Sequence, residues 1–182
     1  LASDSTSLTN YATNTTAPTD GDQGIVTADS NLAVYYPWGL STNVDGSSVV
    51  VPPSHMVMYS IAYSDSVSNP WYAPAGTTRG GIKNASAVGY VDNSGNFVSV
   101  TLNAKQNNIL YPNNINAILR YPTCGLTIMG DKTRCADPTS ALSRINVARL
   151  CSYVRYNLTI MTRRYLFEQN VTSTRDSAKS LV

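Results

Sequence analysis

The sequence predicts an α+β fold, with mixed β-sheet packed against a few helices, a long C-terminal amphipathic helix and a loop-rich N-terminal lead-in. Three observations carry this. Short runs between residues 87 and 129 alternate apolar and polar around turn residues, which is the period of a half-buried strand. Apolar residues between 147 and 165 recur at three- and four-residue intervals, the period of a helix with one buried stripe. Residues 1–33 are dominated by Ser, Thr, Asn, Asp, Ala and Gly without periodic apolar pattern, so they read as a lead-in or the end of a preceding domain.

A core is expected to start near Leu32. The stretch LAVYYPWGL is short, apolar and aromatic, ended by Pro37 and Gly39. A turn at Asp45-Gly46 then leads to a valine run at 49–51 that reads as a strand. Pro52-Pro53-Ser54 is a helix-start signal with Ser54 as the N-cap. The following helix places Val57 and Ile61, with Met58 and Ala62, on one face and ends before Asn69-Pro70. Trp71, Tyr72 and the APAG turn make an aromatic corner. SAVGYV and NFVSVTL form a hairpin around Asp92-Asn93-Ser94-Gly95. A short helix through AKQNNIL leads to Pro112, and strands INAILRY and GLTIM flank a turn at 122–125. In the helix NVARLCSYVRYNLTIMTRRY the predicted buried stripe is Val147, Leu150, Cys151, Val154, Leu158, Met161 and Tyr165. Arg149, Arg155, Arg163 and Arg164 fall mostly off that stripe, as a solvated face or a partner-binding patch.

At 182 residues and 42% hydrophobic content, the chain can bury a core without metals or disulfides. No run approaches the roughly 20 apolar residues of a membrane span, and LASDSTSLTN lacks the basic and apolar regions of a signal peptide. The first residue is Leu1 and the last segment begins a helix and stops, which suggests a piece of a longer chain. Four Asn-x-Ser/Thr matches, at Asn14, Asn84, Asn157 and Asn170, carry weight only in a secreted protein. Charge is unevenly placed: residues 1–78 hold six Asp and no Lys or Arg, a net −6. The remainder holds all thirteen basic residues and five acidic ones, a net +8, so opposite ends can pair between subunits.

The residues for chemistry are missing. Cys124, Cys135 and Cys151 are odd in number, have no C-x-x-C spacing and have only His55 as a companion, so they read as buried or idle thiols and not as a zinc site. Gly76 and Gly81 have the spacing of P-loop glycines, but Ile82, Lys83 and Asn84 follow where Lys and Ser/Thr are needed to hold phosphate and magnesium. His55 is the only histidine, read as a surface residue of the first helical turn, and no G-x-S-x-G elbow exists for a hydrolase. Ten of the eleven acidic residues are Asp in mostly loop-like sequence, with no pair placed for acid–base work. Basic residues are dispersed without a nucleic-acid-binding motif. No catalytic, cofactor-binding or metal residue is assigned, and the chain is read as a non-enzyme.

The order of several blocks resembles contractile tail sheath proteins of myovirus-type phages and related injection machines. VPPSHMVMYSIAYSDSVSNPWYAPAG resembles the family's proline–serine helix start, late Asp, Trp and A-P-A-G turn, carried here by Pro53, Ser54, Asp65, Trp71 and residues 73–76. LNAKQNNILYPNNINAILRY looks like its short helix followed by a Leu-x-x-x-x-Ile-Asn element, at Leu110, Ile115 and Asn116. LTIMGDKTRC sits where the family has Trp-Gly-x-Arg-Thr; Met129 and Lys132 replace Trp and Arg, while Gly130 and Thr133 are kept. RINVARLCSYVRYNLTIMTRRYLFEQN resembles its Ile-Asn-Val-x-Arg-Leu element and closing Phe-Glu-Pro-Asn, with Gln169 for Pro.

The resemblance covers residues 35–182 and its substitutions suggest a divergent branch such as a large-genome phage. It implies a truncated sheath-like core at 34–182, lacking the C-terminal arm that inserts into a neighbouring subunit. Implied too are stacked hexameric rings of copies around a tail tube, contraction that drives the tube through the host envelope, and contacts to tail tube, baseplate and tail terminator proteins. Such a subunit is assembled in the host cytoplasm, resides in the virion tail, and needs no cofactor, nucleic acid or membrane insertion. Arg149, Arg155, Arg163 and Arg164 are then the expected partner interface. The competing reading, from the Ser/Thr/Asn-rich lead-in and twelve tyrosines, is a secreted or virion-surface binding module.

Overall fold

The computed structural model describes residues 28–180, so the lead-in expectation for residues 1–27 lies outside the described residues. Two four-stranded sheets share the middle of the molecule. The first runs β1 (Val34–Tyr36), β7 (Ile115–Tyr121), β8 (Gly125–Met129), β4 (Gly81–Ile82) across its width. It is mixed, because β1 pairs parallel to β7 while β7–β8 and β8–β4 are antiparallel. The second is wholly antiparallel, in the order β3 (Ser48–Val51), β2 (Trp38–Thr42), β5 (Ala87–Val91), β6 (Phe97–Ser99). The helices are α1 (Pro53–Val67), α2 (Gly76–Arg79), α3 (Ala104–Leu110), α4 (Ile145–Thr162) and α5 (Thr172–Lys179).

The turns form for the reason their residues suggest. In both predicted turns an Asp carboxylate accepts backbone N–H groups: Asp45 from Ser47, and Asp92 from Ser94 and Asn96. Gly46 and Gly95 supply the positive φ of 83° that each turn requires. LAVYYPWGL is two strands and not one ended stretch: β1 and β2 belong to different sheets and join at the cis Tyr36-Pro37 bond. Gly39 lies inside β2 because the Met56 side chain occupies the place a Cβ would take.

Strand β7 is central, with Ile115 through Leu119 buried on both faces. On one side Ile115, Ala117 and Leu119 pack with Val34, Tyr36, Leu102 and Leu110, covered by α3. That helix starts with a capping box, Asn103 accepting from the Gln106 N–H while the Gln106 side chain accepts from the Asn103 N–H. On the other side Ile118 packs with Leu126, Ile128, Ile82, Val88 and Val51 against Met56 and Val57 of α1.

Helix α1 corrects two expectations. Pro52 is the N-cap and no side chain caps it, so Ser54 is already inside the helix. Its buried residues are Met56, Val57, Ser60 and Ser64, with Ile61 partly buried, while Met58 and Ala62 are exposed. The small serines let α1 lie close to the sheet, and Ser60 donates to the Arg79 carbonyl, so this face is set by size and not by hydrophobicity.

Candidate functional site

Asn116 is the polar pin under the site. It is fully buried in β7, its amide donates to the carbonyls of Val34 (3.1 Å) and Lys132 (2.8 Å), and its Oδ1 accepts from the Lys132 N–H (2.8 Å). Gly130 is needed opposite it, since a Cβ there would run into the Asn116 side chain. Asn116 and Gly130, distant in sequence and both singled out by the resemblance, thus fix the path of the chain leaving β8.

That path delivers Asp131 to the start of α4. Arg144, at the N-cap, offers no side-chain cap. The Asp131 backbone carbonyl accepts from Ile145, and its carboxylate accepts from the Asn146 backbone N–H, so Asp131 caps the helix from outside. Burial pushes the Asp131 carboxyl up to about 6, against the opposing pull of the Asn146 N–H, Arg144 and Arg149. Its Oδ1 is buried without a hydrogen-bond partner among the described residues. The neighbouring Tyr35 hydroxyl of β1 is held well above the ordinary phenol range by burial first and by Asp131 second.

One turn on, Arg149 Nη2 lies 2.6 Å from both Asp65 carboxylate oxygens, the one ion pair among the described residues. Two turns on, Tyr153 packs edge-to-face on Trp71 at 6.0 Å and 64°. Arg144 reaches back to donate to the Tyr111 hydroxyl at 2.7 Å, and Lys132 sits over the Tyr111 ring at 4.4 Å. The first turns of α4 are therefore clamped to α1, the Trp71 loop and the post-β8 segment.

Beyond that clamp the helix leaves the core, which overturns the predicted buried stripe. Only Ile145 of α4 is buried. At 100° per residue, the side touching the core is that of Ile145, Arg149 and Tyr153, and Val147, Leu150, Cys151, Val154, Leu158 and Met161 lie on the opposite side. Leu150, Val154 and Met161 are 37%, 44% and 40% exposed. On the core-facing side Tyr156 and Ile160, past the reach of the core, are 66% and 47% exposed. Amphipathic spacing was legible; which neighbour the stripe faces is a tertiary property that spacing does not contain.

The four predicted interface arginines are not brought together. Arg149 is engaged with Asp65 and belongs to the clamp. Arg155 is exposed on the flank of the outward stripe, while Arg163 and Arg164 follow in a 3-10 turn, with Arg164 over the Tyr165 ring at 5.2 Å. Of the two thiol readings only burial fails: Cys124 and Cys135 are partly exposed and Cys151 is exposed on α4, and all three are free. His55 is exposed in the first turn of α1. Among the described residues no cluster of His, Cys, Asp or Glu has metal-binding geometry, and no helix is long and apolar enough to cross a membrane.

No family model matches the chain. Over 119 residues, 65% of its length, the chain is 36% identical to the tail sheath protein of Vibrio phage KVP40 and 32% identical to that of Enterobacteria phage T4. It is 34% identical over 83 residues to the tail sheath protein of Salmonella phage ViI. The matched region is 16% of the length of the first two, so the chain spans about a sixth of the curated relatives it matches. Among solved structures, the anti-feeding prophage helical sheath in its contracted state superposes with a TM-score of 0.70 at 21% identity, covering 97% of this chain and 48% of that one. The contracted sheath complex of the PVC extracellular contractile injection system gives 0.65 at 23% identity, covering 85% and 39%. The chain is related in sequence to phage tail sheath proteins, and its α+β fold is that of contractile sheath subunits.

Proposed function

We propose that this chain is the core portion, residues 34–182, of a contractile tail sheath subunit that stacks in hexameric rings around a tail tube and shortens to drive the tube through the host envelope. The observation that carries the reading is the coincidence of two independent likenesses: sequence to phage tail sheath proteins over 119 residues, and fold to contracted sheath assemblies over 97% of the chain. Its partners are further copies of itself, the tail tube, the baseplate and the tail terminator. It acts in the virion tail after assembly in the host cytoplasm.

The geometry suits a part that works by repacking rather than by bond making. Free energy for contraction is stored when many identical subunits hold the less favourable of two packings, a few kcal/mol each, and released when they switch together. Such a subunit needs a rigid core and surfaces that another body covers. Here the β7-centred core is closed by apolar contacts on both sides, whereas α4 projects from a clamp with apolar residues exposed around its circumference. The exposed Arg155, Arg163 and Arg164 supply the basic interface, facing an acidic tube surface or the acidic half of a neighbouring copy; Arg149 contributes by holding the helix at its angle.

Electron microscopy of the full-length protein, alone and with its tube, tests the reading. Striated hollow cylinders are expected, and lone particles that never build a sleeve beside the tube overturn it. Arg155→Glu with Arg163→Glu is expected to weaken tube-guided polymerisation, and unchanged assembly removes the arginines from the interface.

A further inference from the structure

We propose that the outward stripe of α4 docks an acidic amphipathic helix from another polypeptide, laid side by side along it. Three observations on this chain point there, none of which depends on the sheath reading.

The stripe is exposed at Cys151, Val154 and Met161, half-buried at Val147 and Leu158, and it has the period of a helix partner. Val147, Cys151, Val154, Leu158 and Met161 follow one another at intervals of four, three, four and three residues, a repeat of 3.5 that keeps one seam facing a second helix at a shallow left-handed crossing. A strand or a flat surface would not select that repeat. The residues span roughly 21 Å of helix at about 1.5 Å per residue. Between them lies a shallow groove of about 540 Å³ lined by Leu150, Val154, Leu158 and the stem of Arg155.

Charge selects the partner's sign. From Arg144 to Tyr165 the chain carries five arginines and no Asp or Glu. Three of the five are engaged, Arg144 on Tyr111, Arg149 on Asp65 and Arg164 over the Tyr165 ring. Arg155 flanks the seam and makes no ion pair among the described residues. Pairing two copies of α4 would therefore set positive helix against positive helix, whereas Asp or Glu flanking a partner's apolar seam complements Arg155.

Length makes the contact weak. The seam covers two heptads, below the three to four that sustain a coiled coil by itself. The partner is accordingly held as one of several contacts, firm when many copies are aligned and easily exchanged when they are not.

The test uses the 182-residue chain and synthetic peptides of about four heptads with Leu at the seam, one series flanked by Glu and one by Lys. Fluorescence anisotropy is expected to show the Glu peptide binding and the Lys peptide binding at least about tenfold more weakly, with the Glu complex loosened by salt. Val154→Asp with Leu158→Asp, on the outward stripe, is expected to abolish binding while circular dichroism stays unchanged. Arg155→Glu, which leaves the seam intact, is expected to reverse the preference between the peptides. Equal binding of the two peptides, or binding indifferent to Val154→Asp with Leu158→Asp, overturns the proposal. So does a Val154-dependent dimer of the chain in sedimentation, which would make a second α4 the occupant. Val154-dependent binding to phosphatidylcholine–phosphatidylglycerol vesicles with no binding to the Glu peptide would overturn it in favour of a lipid surface.

Discussion

Breaking the Asp65–Arg149 pair is the perturbation with the most specific consequence, because it is the one ion pair tying α4 to the rest of the described fold. The side chains retain 20% (Arg149) and 37% (Asp65) of their exposure, and the nitrogen lies 2.6 Å from both oxygens. Fully exposed pairs couple by about 0.2–1 kcal/mol and losing one partner of a buried pair costs about 3–5 kcal/mol. This half-covered pair falls between, at a coupling of about 1–2 kcal/mol. Asp65→Ala should cost more than Arg149→Ala, since it leaves a guanidinium whose Nη1 is already buried without a partner among the described residues. A double-mutant cycle on urea unfolding measures the coupling, and each single variant should lower Tm by about 2–8 °C at the roughly 2–4 °C per kcal/mol of a domain this size. Hydrogen exchange adds the readout that matters: α4 amides should lose more protection than those of β7 and β8, because α4 is held at one end only. A coupling below about 0.3 kcal/mol, or loss of protection shared evenly with the sheet, would refute the clamp.

Asn116→Ala strands the Val34 carbonyl and both backbone groups of Lys132, so at about 1 kcal/mol per bond it should cost about 3 kcal/mol in chemical unfolding. Asp131 gives a pH dependence whose sign runs against the usual acid effect: its carboxyl is raised from 3.8 to about 6 in the fold, so the folded state binds the proton more tightly and this group adds stability as pH falls through 6 towards 3.8. Asp131→Asn, keeping an oxygen for the Asn146 N–H, should erase that component and be at least as stable as the parent at pH 7.5, measured as a difference curve; a less stable variant there would contradict it. Met56→Ala removes a fully buried side chain wedged against Gly39 and should cost about 2–5 kcal/mol, read from the urea midpoint.

Local features of the sequence survived folding because they are decided locally. The turns at 45–46 and 92–95, the hairpin at 87–99, the short helix through AKQNNIL and the β7–β8 pair all depend on residues close together in the chain. The split of LAVYYPWGL into two sheets was not legible, since it depends on β7 and β5 arriving from some 50 to 80 residues away to claim Val34–Tyr36 and Trp38–Thr42 separately. The α1 face was misjudged for a related reason: Ser60 and Ser64 are buried by proximity to the sheet, and a hydrophobicity count excludes them. The clamp was partly legible, because Asp65, Trp71, Asn116, Gly130 and the Arg of Ile-Asn-Val-x-Arg-Leu, here Arg149, all stood out through the resemblance. What the sequence could not tell is that these separate blocks converge on the first two turns of one helix.

That convergence explains why α4 has apolar residues on two sides. A helix that packs on one body needs one stripe, with the other face polar. Here the core-facing side changes along its length from Ile145, Arg149 and Tyr153, which are in contact, to Tyr156 and Ile160, which overhang, while the outward stripe belongs to neither core cluster. An 18-residue helix exposing both sets would be a liability in a monomer, where contiguous apolar surface invites nonspecific association. Two covering bodies would resolve it, one against the overhanging Tyr156–Ile160 side and one along Val154–Leu158, and they would not have to be released together. If the helix works as a lever between them, Tyr156→Ser with Ile160→Ser and Val154→Asp with Leu158→Asp should block assembly at different stages in negative-stain images, the first stopping ring formation and the second stopping stacking or tube attachment. Identical arrest by both pairs would mean that a single body surrounds the helix and that the lever picture is wrong.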